Sequence, residues 1–332
     1  MRMSMAIPKP RANLLHINPT GGLDMKFPGL CHRPQPEKVV VILGATGTGK
    51  SKLSMDIATR FPSEIVNSDK MQVYKGLDIV TNKITDEERQ GVPHHLLGVI
   101  DPVEDFTAKN FCNSATAAAK SISRRGKLPV IVGGSNSFIE SLIDDSDHKF
   151  RSRFQCCFLW VDVSMPILHS FVSERVDRMV ERGMVDEVGK MFNPKISDYS
   201  RGIRKSIGVP EFDRFFRSKS FSDEETRLRL LEEAIKETKL NTCKLACRQR
   251  EKIIRLRTVK GWKIHRLDAT EVFRKRGEEE ADKAWEDLVV GPSTMIVNQF
   301  LYNHHTINSD YHDMIRGTSR ARMGTVFAAA TH

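Results

Sequence analysis

The 332-residue sequence has no uninterrupted apolar run of about 18 residues, so a transmembrane helix is not expected. It has no Cys-x-x-Cys pair: the six cysteines stand at 31, 112, 156, 157, 243 and 247. That spacing excludes a thioredoxin-like redox motif, and a chain of this length needs no disulfide framework. They read as buried or idle thiols in a reducing compartment. A C-terminal zinc finger is missing too, because Cys243 and Cys247 lie four apart in a helical stretch and His304, His305 and His312 have the wrong spacing. No internal repeat is visible. Acidic residues are scarce at the N-terminus, where Asp24 faces Arg2, Lys9, Arg11, Lys26 and Arg33. With six prolines and no periodicity, residues 1–36 are expected to be disordered, either as an organelle transit peptide or as a plain tail.

The remaining composition is that of an ordinary globular protein, 39% hydrophobic and 28% charged. The net charge of +10 favours anionic partners, phosphorylated small molecules as readily as nucleic acid.

Order begins at Lys38. Val39-Val40-Val41-Ile42-Leu43 is a β-branched run suited to a strand buried on both faces. Further strands are expected at Glu64–Asn67, Leu96–Ile100, Val130–Val132 and Cys157–Val163, alternating with helices at Phe106–Arg125 and Ser135–Ile143. This alternation predicts an α/β fold with a parallel sheet over residues 37–165. The second part, 166–290, reads as mainly helical. It has an amphipathic helix at Pro166–Arg182 and a long one from Asp223 to about Leu256, capped by Ser222 with Glu225 completing a capping box. A further helix is expected at Glu278–Leu288, and one short strand is possible near Trp262–Leu267. Residues 291–332 read as a loose tail.

Gly44-Ala45-Thr46-Gly47-Thr48-Gly49-Lys50-Ser51 matches GxxxxGK[ST], with a strand before it and a helix after it. The glycines let backbone N–H groups converge on a phosphate, Lys50 supplies a mobile cation, and Ser51 is the candidate ligand for Mg²⁺. Most such loops hold a nucleoside triphosphate, which makes a small-molecule kinase the default reading. Asp69 follows the second strand, where it could cap a helix or accept a proton from a nucleophile lying over the loop.

Five landmarks shift that default: the phosphate loop, Ser68–Ile79 (SDKMQVYKGLDI), Gly91–Pro102 (GVPHHLLGVIDP), Arg125–Leu142 (RGKLPVIVGGSNSFIESL) and Glu174–Arg178 (ERVDR). With Ala246–Arg250 (ACRQR), they resemble the isopentenyltransferases in order and content over about residues 38–260. The resemblance implies a P-loop NTPase-like sheet with a helical second part. It also implies transfer of a dimethylallyl group from dimethylallyl diphosphate to N6 of an adenine. The diphosphate would occupy the loop with Lys50 and Mg²⁺ at Ser51, Asp69 would take the N6 proton, and Thr46 would lie near the bridging oxygen.

Two branches share this core, one modifying transfer RNA and one modifying free adenylates. The RNA branch reads Ile-Gly-Tyr-Arg-Gln where this chain has Ile207-Gly208-Val209-Pro210-Glu211, so Pro210 replaces an arginine that the family places near the diphosphate. Arg204 or Lys205 are the candidates to replace it. The basic groups Arg214, Arg217, Lys219, Arg274, Lys275 and Arg276 are candidates for the phosphates of ATP, ADP or AMP, and Asp162 is a candidate for the ribose or a helix cap. The expectation is a cytokinin-forming adenylate dimethylallyltransferase with no nucleic-acid or membrane partner, in the plastid, with the cytoplasm as alternative. A transfer-RNA enzyme and a P-loop kinase remain the rivals. Oligomeric state is not legible, a monomer being the simplest expectation.

Overall fold

A computed structural model describes residues 36–144, 150–218, 223–275 and 277–302. The expectations for the N-terminal segment up to residue 35, for Lys219, Ser222 and Arg276, and for residues 303–332 lie outside these.

The chain runs β1 (Glu37–Gly44), α1 (Lys50–Arg60), β2 (Ser63–Asn67), α2 (Asp86–Arg89), β3 (His94–His95), α3 (Ala108–Arg124), β4 (Leu128–Val132), α4 (Asn136–Asp144), α5 (Phe150–Arg153) and β5 (Phe154–Asp162). There follow α6 (Met165–Glu181), α7 (Met184–Met191), α8 (Asp213–Ser218), α9 (Glu224–Thr258), β6 (Ile264–Asp268), α10 (Thr270–Arg274), α11 (Glu278–Trp285) and α12 (Gly291–Tyr302). All six strands pair in parallel, in the order β3-β2-β4-β1-β5-β6. The expected P-loop-type α/β fold is thus present.

Alternate residues of β1 feed opposite cores, as period-2 geometry requires. Val40 and Ile42 pack with α1, the start of α6 and the C-terminal helices, while Val39, Val41 and Leu43 pack with α3, α4 and the end of α9. A third cluster, around Val73, Tyr74, Met184, Ile203 and Phe212, ties the chain after β2 to α7 and α9.

Four expectations change. The third strand is His94–His95, not Leu96–Ile100. Leu96 and Gly98 take positive φ, bending the chain so that Gly98 and Val99 N–H bond to Gln72 and Val73 carbonyls instead of the sheet. The long helix is capped one residue later than expected, by Asp223, whose carboxylate accepts from Thr226 N. The possible strand near Trp262–Leu267 is present as β6, but it joins the sheet beside β5, so that sheet is not confined to residues 37–165. Residues 291–302 are helical rather than loose. Pro292 directly follows a π-helical turn (Glu286–Val290) through which α11 runs on into α12 without a break, Val297 is buried in the core, and Lys38 Nζ donates to Leu301 O at 2.7 Å.

Candidate active site

The strands' C-terminal ends form the crevice in which open parallel sheets bind ligands. β1 ends in the phosphate loop. Gly49 caps α1 in the left-handed conformation (φ 91°), and a Cβ there would meet the Trp285 ring at 2.7 Å, so the tight turn needs glycine twice over. Ala45 O knots the loop, accepting from Thr48 Oγ1 at 3.0 Å and from Lys50 Nζ at 2.6 Å. Desolvation lowers the Lys50 pKa to about 8, with Asp69 pulling it up and Arg175 pushing it down. All three charges therefore share the field of this loop.

Asp69 stands just past β2, as its sequence position implies. Its Oδ1 accepts from Met71 N at 2.9 Å, an Asx-type turn within its own segment, so it caps no helix. The Gly133-Gly134 pair after β4 makes room for it. A Cβ on Gly133 would lie 2.7 Å from Asp69 N, and one on Gly134 would lie 3.4 Å from Asp69 Oδ2.

Two site residues carried no assigned role in the sequence reading. Arg175 of α6 donates from Nη2 to Thr46 Oγ1 at 2.9 Å. Desolvation lowers its pKa to about 10, with Arg178 adding to the shift and Asp69 opposing it, so it stays cationic at neutral pH. Its signal was an arginine on the buried stripe Leu168, Val172, Met179, a position where unpaired charge is disfavoured. Gln249 of α9 accepts from Thr46 N at 2.7 Å and donates to Gly134 O at 2.9 Å. It too lies on a buried stripe, between Ala246 and Ile253.

The candidates for the acceptor separate. Asp162 is 2% exposed and neither caps a helix nor faces an open crevice. It is clamped by Arg250 Nε at 3.0 Å and Arg266 Nε at 2.7 Å. Lys205 is exposed and close enough to Lys70, next to Asp69, to depress that lysine's pKa after desolvation, Lys252 acting likewise. Arg204 instead lines a small cleft with Met191, Phe192 and Tyr199. Lys275 pairs with Glu280 at 3.9 Å and Arg274 with Glu271 at 2.6 Å. Arg214 lies 3.6 Å from Glu233. Arg217 is consumed by Asp213, Pro194 O and Ile196 O, which leaves it no role toward a phosphate.

Ser51 is exposed at the start of α1. Among the described residues no group of three or more His, Cys, Asp or Glu could hold a metal. The exposed Ser51 hydroxyl is a single oxygen donor of the kind Mg²⁺ takes together with substrate phosphates.

The family model of the IPP transferases matches residues 72–153 and 144–253. The chain is 61% identical over 290 residues to adenylate isopentenyltransferase 3, chloroplastic, of Arabidopsis thaliana, covering 87% of this chain and 82% of that one. It is 52% identical to the mitochondrial adenylate isopentenyltransferase 7 of the same plant, covering 82% and 83%. Among solved structures it resembles a eukaryotic dimethylallyltransferase acting on tRNA (TM-score 0.67, 25% identity, 82% and 81% covered). It also resembles the tRNA isopentenylpyrophosphate transferase of Bacillus halodurans (TM-score 0.60, 25% identity, 81% and 100% covered). A parallel sheet ending in a phosphate loop, a carboxylate beside it and these matches agree: the chain belongs to the IPP transferase family.

Proposed function

We propose that the protein transfers a dimethylallyl group from dimethylallyl diphosphate to N6 of the adenine of a free adenylate, ADP or ATP and also AMP. The observation that carries this reading is one carboxylate, Asp69, within the field of Lys50 and Arg175 over a phosphate loop. A kinase would need to activate a hydroxyl towards phosphorus, whereas here two separate demands meet. The N6 lone pair is delocalised into the ring, so its proton must be removed as the N6–C1 bond forms. The C1–O bond breaks with its electron pair going to the diphosphate, whose charge must be neutralised.

Lys50 and the loop amides hold the departing diphosphate, and Asp69 takes the proton from N6. Thr46 Oγ1 already accepts from Arg175, so its own proton is left to donate to the bridging oxygen. Mg²⁺ held by Ser51 and the diphosphate would add charge neutralisation on the leaving group. Lys205, beside Lys70 and Lys252, is the surface we assign to the acceptor's phosphates; Lys219 and Lys275 are secondary candidates.

The choice of a free nucleotide is supported by relatives 40–61% identical that are named adenylate isopentenyltransferases, and by Pro210. The second reading, transfer to an adenine in transfer RNA, is favoured by the solved structures. Incubating the protein and Mg²⁺ with dimethylallyl diphosphate and AMP, ADP, ATP or unmodified transfer RNA separates them. Prenylated ADP and ATP are expected, and product confined to RNA would overturn the proposal. The names of the relatives, chloroplastic and mitochondrial, place them in organelles, and we assign this protein to the plastid. Import of a reporter fused to residues 1–36 into isolated chloroplasts tests that.

A further inference from the structure

We propose that Gln249 is a positioning residue that registers the donor-binding loop against the segment holding the base. Its carboxamide sits where three pieces of chain far apart in sequence meet. Oε1 accepts from Thr46 N at 2.7 Å, across 203 residues, and Nε2 donates to Gly134 O at 2.9 Å, across 115 residues. The two partners fix the amide's orientation, since one is a donor and the other an acceptor. Asn136 Nδ2 closes the arrangement from the other side by donating to Gln249 O at 3.0 Å.

The third residue of the phosphate loop is thereby held at both ends. Gln249 takes its N–H and Arg175 binds its hydroxyl, one from α9 and the other from α6. Thr46 N–H is thus already satisfied and is not among the loop amides left for an anion. The same carboxamide packs on the glycine that admits Asp69: a Cβ at Gly134 would lie 2.4 Å from Gln249 Nε2 and 3.4 Å from Asp69 Oδ2. One side chain therefore spans from the loop that holds the leaving group to the backbone against which the base rests. Group transfer is steep in this distance, since a 1 Å misplacement can cost about 100-fold in rate.

The inference rests on the prenyl-transfer reading, and the experiment keeps the two apart. Wild-type protein, Gln249→Leu, Gln249→Asn and Gln249→Glu are compared for kcat and KM with dimethylallyl diphosphate and ADP, for inorganic diphosphate affinity by calorimetry, and for Tm. Gln249→Leu is expected to lower kcat on the order of 100-fold, with KM for the donor and diphosphate affinity within about threefold of wild type. Gln249→Asn keeps both chemical groups but not the reach, and should fall between the two. Gln249→Glu keeps the acceptor for Thr46 N but loses the donor to Gly134. Its charge joins Lys50, Arg175 and Lys70 around Asp69, so the acidic limb of the pH–rate profile should move upward. Wild-type turnover with unchanged kcat in Gln249→Leu overturns the inference alone, as does a parallel loss of kcat, diphosphate affinity and Tm in all three variants. Absence of prenyl transfer by wild type overturns the functional reading and the inference with it.

Discussion

Arg175 and Thr46 are joined by a 2.9 Å hydrogen bond from the guanidinium to the threonine hydroxyl, across 129 residues of chain. The bond assigns direction, because a hydroxyl that accepts from a cation has its own proton free for another acceptor. Arg175 Nε is buried with no hydrogen-bond partner among the described residues. Arg175→Lys preserves charge but cannot reproduce the planar fork, and we expect kcat to fall about 10- to 100-fold, less than the roughly 100- to 1000-fold that follows outright loss of one electrostatic donor. Steady-state kinetics with dimethylallyl diphosphate and ADP checks this; a change confined to the acceptor's KM would contradict it.

Asp69→Asn keeps shape and removes the proton acceptor. Turnover is expected to fall by about 10²- to 10⁴-fold, the range for a lost general base, while diphosphate binding measured by calorimetry stays within a few-fold. Near-normal turnover would exclude Asp69 as the base.

Donor affinity should depend on pH through Lys50. Its pKa in the free protein, lowered to about 8 by desolvation, leaves it protonated below that value and progressively neutral above. Anion binding favours the protonated form. Calorimetric titration with inorganic diphosphate, referred to one protonation state of the anion at every pH, should therefore show a Kd that is flat below about pH 8 and weakens above it. Lys50→Ala should bind more weakly throughout and lose this inflection.

At the other end of β2, Glu64 serves stability rather than catalysis. Burial raises its pKa, but hydrogen bonds from His95 (2.7 Å), Arg125 (2.6 Å) and Lys127 (3.1 Å) more than reverse this, leaving it at about 2. A carboxylate depressed in the folded state stabilises fully above its ordinary pKa near 4.5, and that contribution is lost as pH falls towards about 2. Glu64→Gln should cost about 1–3 kcal/mol at pH 7, flatten the dependence of Tm on pH between 5 and roughly 2, and leave kcat unchanged.

Trp285 is 4% exposed, donates from Nε1 to Asp56 at 2.8 Å, and lies against Gly49 of the phosphate loop. Trp285→Ala should cost about 3–5 kcal/mol by thermal or chemical unfolding and also weaken diphosphate binding, because the turn into α1 loses its backing. Loss of stability without any change in binding would show that the ring supports only the core.

The sequence by itself determined the parts whose physics is local. The phosphate loop was legible because a β-branched run, a glycine-rich turn and Lys50-Ser51 form one continuous segment. Asp69 was legible from its place after a strand, and α6 and α9 from their apolar spacing. What the tertiary structure decided are the relations between segments distant in the chain. The bends at Leu96 and Gly98 moved the third strand, and β6 joined the sheet beside β5 from beyond the helical half. The apolar face of α12 found the core, although Gly291-Pro292 reads as a stop. Asp162 proved committed to Arg250 and Arg266, and Arg217 to Asp213, pairings that no local pattern encodes. Arg175 and Gln249 became site residues for the same reason. Each is a polar residue on a buried helical stripe, and only packing α6 and α9 against the end of β1 brings both to Thr46.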